Sequence, residues 1–353
     1  MEFIYEYGLF LAQVVTFVAA IIIVVASLVG VSQRQRSEQH QGYIEVKNVN
    51  EKYHHIGQNI QQIVLEPHEL KASLKAEKKA EKALAKAAKK KRGKGHKDDE
   101  DRRKRLYVLD FDGDIKASAA DNLREEISAV LPQVIAGDEL LVRVESPGGM
   151  VHSYGLAASQ LQRIRDAGVP LTIAVDKVAA SGGYMMACVA NRIVAAPFAV
   201  IGSIGVMAQL PNFHRLLKKH DVDFELFTAG EYKRTVTMFG ENTEKGRGKF
   251  LQELEETHEL FKDFVSANRP ELDIAKVATG EIWYGQKALE IGLVDELQTS
   301  DALVQQHLAD WDVFEVKFVH KKNWQEKLGL AAEGALEKTL LRIWQKSQER
   351  STY

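Results

Sequence analysis

Two turns hold the residue types that acyl-transfer chemistry uses. Ser146-Pro147-Gly148-Gly149 and Ser181-Gly182-Gly183 each set a serine beside a glycine pair. Glycine reaches backbone conformations closed to other residues, and no side chain covers its N–H. At the start of a helix, such N–H groups form an oxyanion site. A serine at the tip of so sharp a turn is also held clear of its own sheet, as in a nucleophile elbow. Either turn alone is more often a structural connection. Together, in neighbouring units, they suggest one nucleophile and two donors.

A serine nucleophile needs a base. His152 and His214 are the imidazole candidates, and no nearby pattern gives either an orienting acid. The other route is a lysine kept neutral by burial, because desolvation lowers a lysine pKa toward the working range. Lys233, in LFTAGEYKRT, follows an apolar stretch predicted as strand, although a lysine so placed is ordinarily exposed. On residue types alone both routes stay open. Cys188, a few residues behind Ser181, reads as a buried core thiol.

The elements that must position these groups alternate. LYVLDF from Leu106 reads as a buried strand, and Ser118 with Asp121 resembles a capping box opening a helix through Ile135. ELLVRVE is a strand running into Ser146, followed by helix from Tyr154 to Ala167. PLTIAVDKVAA is one further strand running into Ser181, with a short apolar helix behind it. Thr243 to Ala267 is a long charged helix. Beyond Ser300 come a strand, VFEVKFV, and an amphipathic helix with Leu336, Leu340, Leu341 and Trp344. Strands alternating with helices indicate an α/β domain with a largely parallel sheet.

Composition bounds the rest. The 353 residues are 45% apolar and 27% charged, which excludes global disorder. A single cysteine excludes a disulfide framework and any multi-thiolate metal site. His54, His55, His68 and His96 lack metal-ligand spacing, and no metal or cofactor is expected. The net charge of −2 hides an uneven distribution: residues 71–105 carry +10, residues 1–70 carry −3 and residues 106–353 carry −9. Leu9 to Val31 is an uncharged run of twenty-three residues, long enough for a membrane anchor at roughly 1.5 Å per residue. Glu2 and Glu6 before it argue against a cleaved secretory signal. The Lys/Ala-rich stretch from Leu70 to Lys97 reads as a solvated helical spacer, with anionic lipid as the sharper alternative. No aromatic platform accompanies the charge, so nucleic acid is not expected.

The motifs VESPGGMV, VDKVAASGGYMMA, IGSIGV and AGEYKR, with GEIWYGQKALEIGLVDE downstream, resemble those of the signal peptide peptidase A family of serine–lysine proteases. The resemblance covers roughly residues 106–300. It implies Ser181 as nucleophile and, fifty-two residues on, Lys233 as general base. It also implies Ser203 as a serine holding the lysine, and the amides of Gly149 and Gly182 as the oxyanion hole. The family fold is the spiral α/β fold shared with Clp protease and the crotonases. Single-copy members form homo-oligomeric rings in which serine and lysine can come from neighbouring subunits. Glu145 before the first turn and Met185-Met186 after the second depart from the commonest pattern, with a changed pocket shape as the expected effect.

The expected organisation is therefore a tail at 1–8, a transmembrane anchor at 9–31, a linker at 32–105, a protease domain at 106–300 and a C-terminal extension at 301–353. The expected activity is serine endopeptidase cleavage of hydrophobic peptides, such as signal-peptide remnants or envelope proteins. A crotonase-like acyl-CoA enzyme and a non-catalytic ring scaffold are the alternatives. Positive flanks after the anchor favour a cytoplasmic domain, whereas the resemblance implies the periplasmic face of the inner membrane; the periplasmic face is the expectation carried forward.

Overall fold

The computed structural model describes residues 42–92 and 102–320. The apolar run at 9–31 and the helix expected around Leu336 lie outside these residues. Among the described residues, no helix is long and apolar enough to cross a membrane. Residues 46–317 form one compact unit, to which the described residues 42–45 and 318–320 do not belong.

In chain order the elements are β1 (Gly42–Asn48), α1 (Val49–Val64), α2 (Pro67–Arg92), β2 (Arg105–Asp112) and α3 (Ala120–Val130). Then come β3 (Glu139–Glu145), α4 (Val151–Asp166), β4 (Leu171–Val175), β5 (Val178–Ala180), α5 (Gly182–Ala187), β6 (Arg192–Ala195) and β7 (Val200–Gly202). The remainder are α6 (His214–Lys219), α7 (Glu244–Asn268), α8 (Ile274–Val277), β8 (Ile282–Tyr284), α9 (Gly285–Glu290), β9 (Glu296–Leu297), α10 (Ser300–Leu308) and β10 (Asp312–His320). The fold is mixed α/β. A seven-stranded sheet has the order β1-β10-β2-β3-β4-β6-β9, and a three-stranded sheet the order β5-β7-β8.

From β10 to β9 every neighbouring pair of the large sheet is parallel. Parallel sheets are covered on both faces, so their strands are apolar throughout rather than alternating. The register aligns Leu109, Val142, Ile173 and Ile193 across four strands, all fully buried. The opposite face packs Leu106, Val108, Leu141 and Val194 against Val49, Leu303 and Val304. Asn50 ties the root of α1 to this body: its amide donates to the Leu308 and Trp311 carbonyls, and its oxygen accepts from the Val313 amide at 2.7 Å.

Three local expectations need correction. The stretch PLTIAVDKVAA is two strands, because β4 and β5 belong to different sheets and Asp176-Lys177 forms the break between them. Asp176 is committed elsewhere, accepting from the Ser300 amide and hydroxyl at the start of α10. The capping box at Ser118 does not form, since the Ser118 hydroxyl bonds Asp114 instead and the helix ends at Val130. No strand forms at residues 222–227 just before Lys233; among the described residues they pair with no sheet, and they lie exposed. The long helix α7 starts as expected, with Thr243 Oγ1 accepting from the Gly246 amide at 3.1 Å.

Candidate active site

Parallel strands deliver their following residues to one edge of a sheet, and in open α/β sheets sites collect at these carboxyl ends. β5 pairs with β7 so that Ala180 faces Gly202. The residues that follow, Ser181 and Ser203, thus emerge side by side. The Ser181 amide donates to the Gly202 carbonyl at 2.7 Å, and the Ser203 amide to Glu281 at 2.6 Å. Both serines hold positive φ, 51° and 52°. A side-chain-bearing residue in that region costs on the order of 1–3 kcal/mol and persists where its surroundings enforce it, often at functional sites. Ser181 sits just ahead of α5 without capping it, so its hydroxyl is not used by the helix.

The other turn meets it across the β3–β5 edge. Ser146 follows β3, donates its amide to Val178 and accepts from the Ala180 amide, at 2.8 and 3.0 Å. Gly148, at φ +91°, lies so close to the Ser181 turn that a Cβ there would stand 2.7 Å from the Ser181 Cβ and 2.8 Å from the Gly182 nitrogen. Gly182 is confined in turn, since a Cβ on it would meet the Tyr154 ring at 2.3 Å. Among the described residues, neither the Gly149 nor the Gly182 amide donates a hydrogen bond. The two turns thus bring together a serine hydroxyl and two unengaged amides, as an acyl-transfer site requires.

Beneath them runs a buried polar chain. The Gly148 amide donates to Ser146 Oγ at 3.1 Å, Ser146 Oγ meets Tyr154 Oη at 2.5 Å, and Tyr154 Oη donates to the Asp114 carbonyl at 2.7 Å. The Asp114 carboxylate closes its own turn, accepting from the Lys116 and Ser118 amides and the Ser118 hydroxyl. The next carbonyl, of Ile115, accepts from the Met150 amide at 2.9 Å and abuts Gly149. Burial is the largest influence on the Tyr154 phenol and raises its pKa above the ordinary value, so it stays protonated. Neither Tyr154 nor the Asp114 turn carries a motif that marks it in sequence. The available signal is a tyrosine one helical turn after a Gly-Gly pair, on the face that must pack.

Lys233 is not brought to Ser181 within this chain. It sits exposed in a turn, its amide bonded to the Gly230 carbonyl at 3.2 Å. Among the described residues, its side chain bonds neither Ser181 nor Ser203. The segment around it bares apolar groups, with Met207 73% and Phe227 86% exposed, and Phe213, Phe224 and Tyr232 also open to solvent. His152 is exposed on α4, and among the described residues neither its ring nor that of His214 bonds Ser181.

Met185 and Met186 are buried in the core. Cys188 is fully buried behind them. Its thiol faces the Met185 carbonyl at 3.2 Å, and burial pushes its pKa up to about 12. Exposed apolar side chains beside the Ser146–Gly149 turn come from Ile115, Met150 and Val151. A cavity of about 450 Å³ at the ends of β2, β3 and β4 is by contrast charged, lined by Asp110, Asp112, Arg143, Glu145, Asp176 and Lys177 among others. Among the described residues no cluster could hold a metal ion.

Comparison with known proteins points to one family. Residues 2–161 match the profile described as Peptidase family S49 N-terminal, and residues 163–313 match Peptidase family S49. A protein of Haemophilus influenzae named Probable protease SohB is 54% identical over 327 residues, spanning 93% of this chain and 92% of the relative. A protein of the same name from Buchnera aphidicola subsp. Schlechtendalia chinensis is 46% identical, spanning 86% of this chain and 99% of the relative. Among solved structures, a mutant of the 1510-N membrane-bound stomatin-specific protease with a substrate peptide matches at TM-score 0.40 and 13% identity, covering 64% of this chain and 96% of that one.

Proposed function

The chain belongs to peptidase family S49 and is a protease, and from that premise we propose a serine endopeptidase with Ser181 as nucleophile and Lys233 as general base. The observation that carries this reading is the meeting of the two turns: a strained serine with an unengaged hydroxyl beside two unengaged amides. Ser181 Oγ attacks the peptide carbonyl and the lysine takes its proton. The amides of Gly149 and Gly182 stabilise the oxyanion, each donor being worth roughly 3 kcal/mol. The amine leaves with the proton, and water activated by the same lysine releases the acyl group. Ser203, beside Ser181 at the end of the paired strand, holds the lysine. The arrangement belongs to a spiral α/β fold of the Clp protease and crotonase type.

The base comes from a neighbouring copy in a homo-oligomeric ring. What supports this is the exposed apolar segment around Lys233, from Met207 to Phe239. A second chain covering it would desolvate the amine and favour its neutral form. Hydrophobic peptides, including signal-peptide remnants and envelope proteins, suit the apolar Ile115, Met150 and Val151 beside the oxyanion loop.

The proposed organisation is an inner-membrane anchor at 9–31, a linker to 105, a protease domain at 106–300 on the periplasmic side, and a C-terminal extension at 301–353. Exposed Lys71, Lys75, Lys78 and Lys79 on α2 suit anionic lipid headgroups. The test is cleavage of a hydrophobic peptide library by wild type, Ser181→Ala and Lys233→Ala. Only the wild type should cleave; equal cleavage by all three overturns the proposal.

A further inference from the structure

We propose that Tyr154 and Ser146 are positioning residues that set the oxyanion loop through a directed hydrogen-bond chain, an inference that rests on Ser181 being the nucleophile. Both side chains are fully buried. The direction of the chain follows from the number of protons. The Tyr154 hydroxyl has one proton and gives it to the Asp114 carbonyl at 2.7 Å. At 2.5 Å from Ser146 Oγ it can therefore only accept, so Ser146 donates to it. Ser146 Oγ is left as the acceptor for the Gly148 amide at 3.1 Å. The sequence Gly148 N–H, Ser146 O–H, Tyr154 O–H, Asp114 C=O has every donor and acceptor in one sense, the arrangement in which successive hydrogen bonds strengthen one another.

This chain governs both oxyanion donors. Its first link draws the Gly148 amide inward, which fixes the peptide ahead of Gly149 and leaves the Gly149 amide unengaged. Its last link ties the loop to the Asp114–Ile115 turn, whose Ile115 carbonyl holds the Met150 amide at 2.9 Å on the far side of Gly149. The Gly149 peptide is thus gripped on both flanks. The ring of Tyr154 meanwhile packs against Gly182, where a Cβ would come within 2.3 Å. One side chain therefore spaces the two donors relative to each other, through its hydroxyl on one side and its ring on the other. Gly113 shows how tightly the junction is filled: a Cβ there would lie 2.5 Å from Ser146 Oγ and 2.6 Å from Tyr154 Oη.

The test uses the full-length protein with Tyr154→Phe, Ser146→Ala and the double variant, assayed well below their melting temperatures. Tyr154→Phe keeps the ring against Gly182 and removes only the hydroxyl. The expected result is a fall in kcat of about ten- to a hundredfold, the scale of a small misplacement of a catalytic group, with KM within about twofold. Affinity for a peptide aldehyde, whose hemiacetal oxyanion needs the same donors, falls by the same factor as kcat. Because both residues act through one chain, the double variant is no slower than the slower single. Ser300→Ala removes a buried hydroxyl bonded to Asp176, outside the Gly148–Ser146–Tyr154–Asp114 chain; it lowers the melting temperature and leaves kcat unchanged.

Unchanged kcat in both single variants overturns the inference, as does a double variant whose losses multiply. Losses in kcat that merely follow the melting temperature, as judged against Ser300→Ala, also overturn it. If Tyr154→Phe does not fold, Ser146→Ala alone decides. Ser181→Ala run alongside separates the two levels: if it cleaves like wild type, the nucleophile assignment fails, whatever Tyr154→Phe does.

Discussion

Replacing Gly148 by alanine tests the close approach of the two turns. Gly148 holds φ +91°, and its new Cβ would stand 2.7 Å from the Ser181 Cβ, 2.8 Å from the Ala180 carbonyl oxygen and 2.8 Å from the Gly182 nitrogen. A left-handed backbone costs an L-residue about 1–2 kcal/mol, and overpacking a filled interior adds about 1–3 kcal/mol. The expected loss is thus about 2–5 kcal/mol, within the 5–15 kcal/mol typical of a domain, so the protein still folds. At the roughly 2–4 °C per kcal/mol of a domain of about 150–250 residues, the melting temperature falls by about 4–20 °C. On the proposed roles of Ser181 and Gly182, activity falls further than stability, because relief of the contacts shifts the Ala180–Gly182 turn that carries both. Loss of one oxyanion donor alone is worth roughly a hundredfold or more in kcat. Gly155→Ala, on the neighbouring helix α4 with nothing within 4 Å of its added Cβ, is the control; it gains up to about 1 kcal/mol of helix propensity and keeps full activity. Thermal melts and kcat/KM on a hydrophobic peptide measure both effects. Wild-type stability and turnover in Gly148→Ala would refute the reasoning.

Three further outcomes are expected. Ser181→Ala and Lys233→Ala proteins, each inactive alone, recover up to about a quarter of wild-type activity when mixed under exchange, as a head-to-tail ring assembled at random requires; no recovery contradicts a base supplied in trans. Cys188, buried and with its thiol pKa pushed up to about 12, resists a thiol reagent at pH 8 in the folded protein and reacts on denaturation; fast native labelling counts against the packing of α5. Asp295 is affected first by burial, which raises its pKa, but bonds from Arg269 and the Ile193 amide outweigh this and hold it below the ordinary carboxylate value. A carboxylate so depressed contributes stability at pH values above its unfolded pKa and loses it as the pH falls through its folded value. Acid titration followed by circular dichroism should therefore show a steeper stability loss below about pH 4 in wild type than in Asp295→Asn, and identical slopes would contradict this.

What the sequence made legible follows from what is local in it. β2 and β3 are visible because a parallel sheet covered on both faces needs unbroken apolar runs. The two glycine turns are visible because close backbone approach excludes any Cβ. The division of PLTIAVDKVAA between two sheets was not legible, since Asp176 breaks the run for the sake of Ser300, more than a hundred residues away. The Asp114 turn displaced the expected capping box at Ser118 because a carboxylate accepts several donors at once, which periodicity does not register. Tyr154 was invisible for a related reason: a buried tyrosine in a helix reads as core until the Ser146 hydroxyl is seen against it. The strand expected before Lys233 failed because apolar content alone does not supply a pairing partner, and among the described residues the segment has none.

The central claim is that Ser181 is a nucleophile activated by Lys233, and its most direct measurement is the site of covalent labelling. A peptide-derived acylating probe followed by mass spectrometry should modify the wild type once, on the peptide that contains Ser181. The adduct should vanish in Lys233→Ala and persist in His152→Ala and His214→Ala. Labelling at another residue, or undiminished labelling of Ser181 without Lys233, would contradict the account.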